Sequence, residues 1–169
     1  MLQHHPAQRT VPCRILTFAG WIEGSLHVMQ KSTLLDHLSR GESLLRLTDA
    51  WLPGEHAPHP FFALQRSSVI AIAPEQDVEP IDSTLSDKPV RRRISWLLGS
   101  GGVIEGTIAL MERVRVSDYL VHHDGFVPME DCKVMLPPGS RGRYEEVVTL
   151  ARLALQANRA IGVTEVDDQ

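Results

Sequence analysis

Gly20-Trp21-Ile22-Glu23-Gly24-Ser25-Leu26 and Gly102-Val103-Ile104-Glu105-Gly106-Thr107-Ile108 are two versions of one segment, 82 residues apart. The register continues without a gap: Met29 falls on Met111, Lys31 on Arg113, Asp36 on Asp118, Leu38 on Leu120 and Asp49 on Asp131. From Gly20 to Pro53, 8 of 34 positions are identical, where ordinary composition would yield roughly 2. Many mismatches are conservative exchanges such as Leu for Ile, Ser for Thr or Leu for Phe. The chain is therefore a tandem duplication, and both halves are expected to trace one backbone path.

Each copy has the same local grammar. An apolar lead-in, residues 13–18 or 94–98, runs into glycines that suit a tight hairpin. The second copy spends more of them (Gly99, Gly101, Gly102), which predicts a longer or bulged tip. A return strand follows, residues 21–29 and 103–111, interrupted by Gly24 or Gly106. A glycine inside a strand marks a bulge or sharp bend. Short helical turns are expected at residues 32–38 and 116–120, with Ser32 or Ser117 as caps. The first copy closes with apolar runs at 43–47, 61–65 and 69–73, around a proline-rich loop at 51–60. The closing runs of the second copy admit two registers. The shift of 82 is unbroken from Gly20, while a shift of 64 lays Phe62 on Phe126 and Val69 on Lys133.

The stretch between the copies holds Pro74, Pro80 and Pro89 among acids and serines, a linker composition. Near the C-terminus, Val147, Leu150, Ala151, Ala154, Asn158 and Ile161 recur at helical spacing. That pattern predicts an amphipathic helix, with Glu145 and Glu146 in its first turn and Gly162 as its stop. The expected organisation is a flexible terminus (1–12), a first β unit (13–74), a linker (75–90), a second β unit (91–138) and a helix (141–162).

The first copy resembles an Sm-like (LSm/Hfq-type) small β-barrel. Ile15-Leu16-Thr17-Phe18-Ala19-Gly20 followed by Ile22-Glu23-Gly24-Ser25-Leu26 is similar to that family's first motif, an apolar strand, a glycine and a later Gly-x-Leu. Leu64-Gln65-Arg66-Ser67-Ser68-Val69-Ile70-Ala71-Ile72 is similar to the second, an apolar strand ending in arginine, a tight turn and a short strand. The resemblance implies a mainly β (α+β) chain of two tandem Sm-like β-barrel units, associating edge to edge. It also implies RNA as a ligand class, although the Asp and Asn of the family's uridine pocket are missing. The only asparagine is Asn158, and Arg66 is followed by Ser67 instead of glycine.

A net charge of −4 offers no global attraction to phosphate, so RNA would need a local basic patch. Lys88, Arg91, Arg92 and Arg93, with Arg113, Arg115 and Arg66, are the candidates; the same run also suits an edge strand guarded by charge. Trp51 opens the proline-rich loop and is a candidate partner contact. Trp21 is read as core or interface. His122-His123-Asp124 reads as a solvated turn, because adjacent residues diverge where a metal needs convergent ligands. His56 and His59 belong to an exposed loop. Glu23 and Glu105, matched by the repeat, are expected to face solvent and not to act as a catalytic pair. Gly99-Ser100-Gly101-Gly102 lacks the Lys-Ser/Thr of a phosphate loop, and Cys13 and Cys132 read as buried packing residues.

No catalytic, cofactor or metal set is expected, and no apolar run reaches bilayer length. Two unspaced cysteines, and a terminus without an apolar signal core, point to the cytoplasm. The leading expectation is a non-enzymatic interaction or assembly protein, a homo-oligomer or the binder of a protein partner. RNA binding is the alternative, and a ligand or active site between the two units is the second.

Overall fold

The computed structural model describes residues 7–75, 89–123, 125–139 and 146–166. The first copy forms β1 (Gln8–Thr17), β2 (Gly20–Met29), α1 (Leu34–Ser39), β3 (Leu44–Trp51), β4 (His59–Gln65) and β5 (Val69–Pro74). The second forms β6 (Val90–Leu98), β7 (Val103–Leu110), α2 (Val116–Val121), β8 (Phe126–Met135), β9 (Val147–Gln156) and β10 (Ala160–Glu165). All ten strands belong to one antiparallel sheet in the order β10-β6-β7-β8-β9-β5-β1-β2-β3-β4. The first five thus run 5-1-2-3-4 and the second five repeat that order. The chain is mainly β, as expected, but the sheet has two open ends, so it is not a pair of closed barrels.

The duplication holds at the level of individual ladders. Glu23 faces Trp51 and Ser25 faces Thr48, while Glu105 faces Lys133 and Thr107 faces Glu130, each with a register shift between. On the strand opposite each shift lies a non-glycine residue at positive φ: Asp49 at 52° and Asp131 at 50°. Aspartate tolerates this left-handed conformation better than most side chains, so the shared bulge explains why both copies carry it. The glycines facing the bulge leave little room for a side chain. A Cβ on Gly24 would sit 3.2 Å from the Ala50 Cα and the Thr48 carbonyl; one on Gly106 would sit 2.8 Å from Met129 Cε and 3.0 Å from Cys132 Sγ.

The hairpin tip of the second copy is one residue longer, as its glycines predict. Thr17 pairs directly with Gly20, whereas Leu98 and Gly102 bracket three residues, with Leu98 N donating to Gly102 O at 2.8 Å. Thr33, not Ser32, caps α1. Its hydroxyl accepts from Asp36 N at 3.1 Å, and its own N–H donates to Asp36 Oδ2 at 3.3 Å. Ser117 lies inside α2, whose N-cap is Arg115.

From Val147 onward the C-terminal helix expected over 141–162 is replaced by β9 and β10, joined by the 3-10 turn Ala157–Arg159; residues 141–145 lie outside the described residues. That turn matches Arg66–Ser68 between β4 and β5, so β9 and β10 are the second copy's closing strands. Here the repeat offset is 91 instead of 82, because β8, the connection after it and β9 are respectively two, four and three residues longer than β3, its connection and β4. The shift of 64 is excluded with it. Local helix propensity loses because β9 pairs with β8 on one side and β5 on the other; Leu153, Ala154 and Leu155 are wholly buried there. Of the expected helical stripe, Val147, Ala151, Asn158 and Ile161 are exposed. The flexible terminus also ends early, since β1 starts at Gln8. Most of the expected linker, residues 76–88, lies outside the described residues.

The core divides in two, and β5 and β9 form the wall between. Ala71 and Leu155, paired across that wall, face the core of the second copy, while Ile72 and Ala154 face the first. Both strands are covered on two faces, which explains the unbroken burial of Val69 to Ala73. Leu16, Trp21 and Ile70 of the first copy complete the second core, and Phe126 of the second completes the first, packing in one cluster with Leu34 and Leu38 of α1. Each full burial of such a side chain contributes about 1.5–3 kcal/mol.

Candidate functional site

The sheet ends at β4 on one side and β10 on the other. Each outer edge presents backbone donors and acceptors with no neighbouring strand among the described residues. Exposed edges are ordinarily guarded by lysines, prolines or inward charges. Here β4 reads His-Pro-Phe-Phe-Ala-Leu-Gln and β10 reads Ala-Ile-Gly-Val-Thr-Glu. Pro60 blunts only the start of β4, and Glu165 is the only charge on β10. Large apolar side chains lie exposed on or beside these edges: Phe61 and Leu44 at the β4 end, Ile161 and Leu97 at the β10 end. A strand added to either edge would gain ladder hydrogen bonds and apolar cover together.

Of the cations singled out from the sequence, Arg66, Arg91 and Arg93 are engaged. The Arg66 guanidinium donates to the carbonyl of Leu38 at the end of α1. Arg91 bridges Glu130 at 2.8 Å and Asp131 at 3.1 Å, and Arg93 lies 3.7 Å from Glu105. Arg92, Arg113 and Arg115 are exposed; Lys88 lies outside the described residues. Trp51 is half-buried at the end of β3, opposite Glu23. Trp21 is buried at the contact between the two copies.

His123 stacks on Tyr119 with ring centroids 4.7 Å apart, and its Nε2 lies 2.9 Å from the Phe126 carbonyl. His122 is exposed and Asp124 lies outside the described residues. Cys13 and Cys132 are buried, and burial pushes both thiols up to about 12. Among the described residues, no three His, Cys, Asp or Glu converge as a metal site, and no helix is long and apolar enough to cross a membrane.

A depression of about 530 Å³ lies at the contact between the copies, lined by the β1–β2 tip, Ile70, Ser100 and residues 136–139. Among the described residues its lining contains apolar side chains, two hydroxyls and backbone, and no titratable side chain that could act as a general acid or base. Which strands form the open edges is what sequence reading missed: the run Arg91-Arg92-Arg93, read as a guarded edge strand, lies in β6, between β10 and β7. The signal available for the edges was the match of Gln65-Arg66-Ser67-Ser68-Val69-Ile70 to Gln156-Ala157-Asn158-Arg159-Ala160-Ile161 at offset 91, which would have placed β10 at the chain's end. Comparison with family models, with curated proteins and with solved structures found no match to this chain.

Proposed function

We propose that this is a non-enzymatic interaction and assembly protein whose working surfaces are the two open edges of its sheet. The observation that carries this reading is the pairing of unguarded backbone with exposed apolar side chains at both ends. Strand addition draws on both, hydrogen bonds giving affinity and side-chain pockets giving specificity. A kinship with Sm-like proteins is part of the proposal and rests on the two motifs of the first copy. The test is to place a charge in each edge, with Phe61→Lys on β4 and Val163→Lys on β10, and to measure retention of protein partners, including other copies of the chain. Wild-type protein that retains none, or retention unaffected by both changes, would refute it.

A second reading is RNA binding through the exposed Arg92, Arg113 and Arg115. It predicts affinity that falls steeply with salt, because phosphate contacts release counterions. A binding assay at low salt with the three arginines replaced by glutamine tests it, and unchanged affinity would end it.

A further inference from the structure

We propose that the depression at the contact between the two copies binds a small organic carboxylate with an aromatic body, and that Arg159 holds the carboxylate.

The depression measures about 530 Å³, a size that suits a small organic molecule. Its walls come from both copies. The first supplies Leu16, Phe18 and Ile70, and the second supplies Ser100, Leu136 and Pro137. Thr17 also lines it, but its hydroxyl is engaged within the β1–β2 tip, donating to Gly20 O at 2.9 Å and accepting from Ala19 N at 3.2 Å. The surface on offer is thus mainly apolar. Phe18 is 58% exposed, and its open ring is a surface on which a second aromatic ring packs in offset or edge-on contact.

Arg159 supplies the charge. It belongs to the turn between β9 and β10 and is tied to two of the walls. Its carbonyl accepts from Gly99 N at 3.3 Å, beside Ser100. Its guanidinium lies over the Phe18 ring, with Cζ 5.5 Å from the centroid. Unlike Arg66, Arg91 and Arg93, this half-buried guanidinium has no acceptor among the described residues, although its Nε is closed to water. A cation partly stripped of water and left without an acceptor is unfavourable. A carboxylate at the Nη end supplies one, and the planar guanidinium can take it through two parallel hydrogen bonds. Stacking on Phe18 leaves those in-plane donors available.

These residues are not part of the duplication. At offset 91 Ser68 stands in the place of Arg159, and its hydroxyl donates to Gln65 O at 2.7 Å. The second tip carries Gly99-Ser100-Gly101 where the first has Phe18-Ala19. The shared fold therefore requires neither Phe18 nor Arg159, and the two meet only across the internal contact.

The test is a ligand-observed NMR titration with 3-phenylpropanoate and with 3-phenylpropanamide, its neutral counterpart. Wild-type protein should bind the carboxylate with a Kd of about 1 mM or tighter, the range for so small a ligand. It should bind the amide at least about fivefold more weakly, because the amide makes no charge-assisted contact. Arg159→Gln should abolish that preference and leave amide binding unchanged. Phe18→Ser should weaken both compounds at least about threefold. Both positions lie on turns, and circular dichroism should match wild type in each variant. Wild-type protein that binds neither compound at several times that concentration, or binds both equally, would overturn the proposal. So would a preference for the carboxylate that survives Arg159→Gln, or affinities unmoved by Phe18→Ser.

Discussion

Ile70 and Ile161 occupy one repeat position and invite one substitution with opposite consequences. Ile70 is buried on β5, where it completes the core of the second copy; Ile161 is exposed on β10. Changing either to alanine deletes the same atoms. At Ile70 the loss includes the transfer of those atoms and the cavity left among Leu16, Leu155 and their neighbours, together about 2–5 kcal/mol. For a chain of 169 residues, that corresponds to a fall in Tm of roughly 5–15 °C. Ile161→Ala leaves no cavity in the single chain and should stay within about 0.5 kcal/mol of wild type. The assay is urea denaturation of both variants at a protein concentration low enough to keep chains apart. Equal losses at low concentration would show that the two positions do not differ in burial, and the account of the β5–β9 wall would fail.

Three further outcomes follow from the packing. Gly106→Ala forces a Cβ against Met129 and Cys132 and should cost about 1–3 kcal/mol; adding Cys132→Ala, the residue at the matching position 50, should recover at least about 0.5 kcal/mol relative to additivity, and strict additivity in a denaturation cycle would refute the contact. Burial pushes the His37 imidazole below its ordinary value, so the unfolded chain binds the proton first. The stability gained by keeping His37 neutral is complete above about pH 6.5 and is lost as pH falls below it, so urea midpoints at pH 7 and pH 5 should differ less for His37→Leu than for wild type. Cys13 and Cys132, buried with thiols raised to about 12, should resist alkylation at pH 8 until denaturant is added, and rapid labelling of folded protein would contradict their burial.

Much of the fold was legible from neighbouring residues. Gly24 and Gly106 announced the bulge, and the extra glycines of the second tip announced its added residue. These signals are local, because a bulge or turn needs a particular residue wherever it occurs. Ser32 misled as a cap because Thr33 beside it has the same chemistry and Asp36 at the reciprocal spacing. Among the site residues, the cations of the first strand of the second copy were visible but the acidic partners of Arg91 were not, since Glu130 and Asp131 lie on β8, beyond β7 in the sheet and distant in sequence.

The duplication, the glycine-bent strand and the mainly β character were written in the residues themselves, because side-chain period and backbone freedom act over a few positions. The fate of residues 147–161 was not. Val-Val-Thr-Leu-Ala-Arg-Leu-Ala-Leu carries helix formers at helical spacing, and only the presence of β8 and β5 on either side makes a strand the better burial for Leu153 and Leu155. The same long-range pairing decided where the two copies meet and left the matching edges open. Pairing energy depends on which strands lie side by side, and strand neighbours are set by the whole chain.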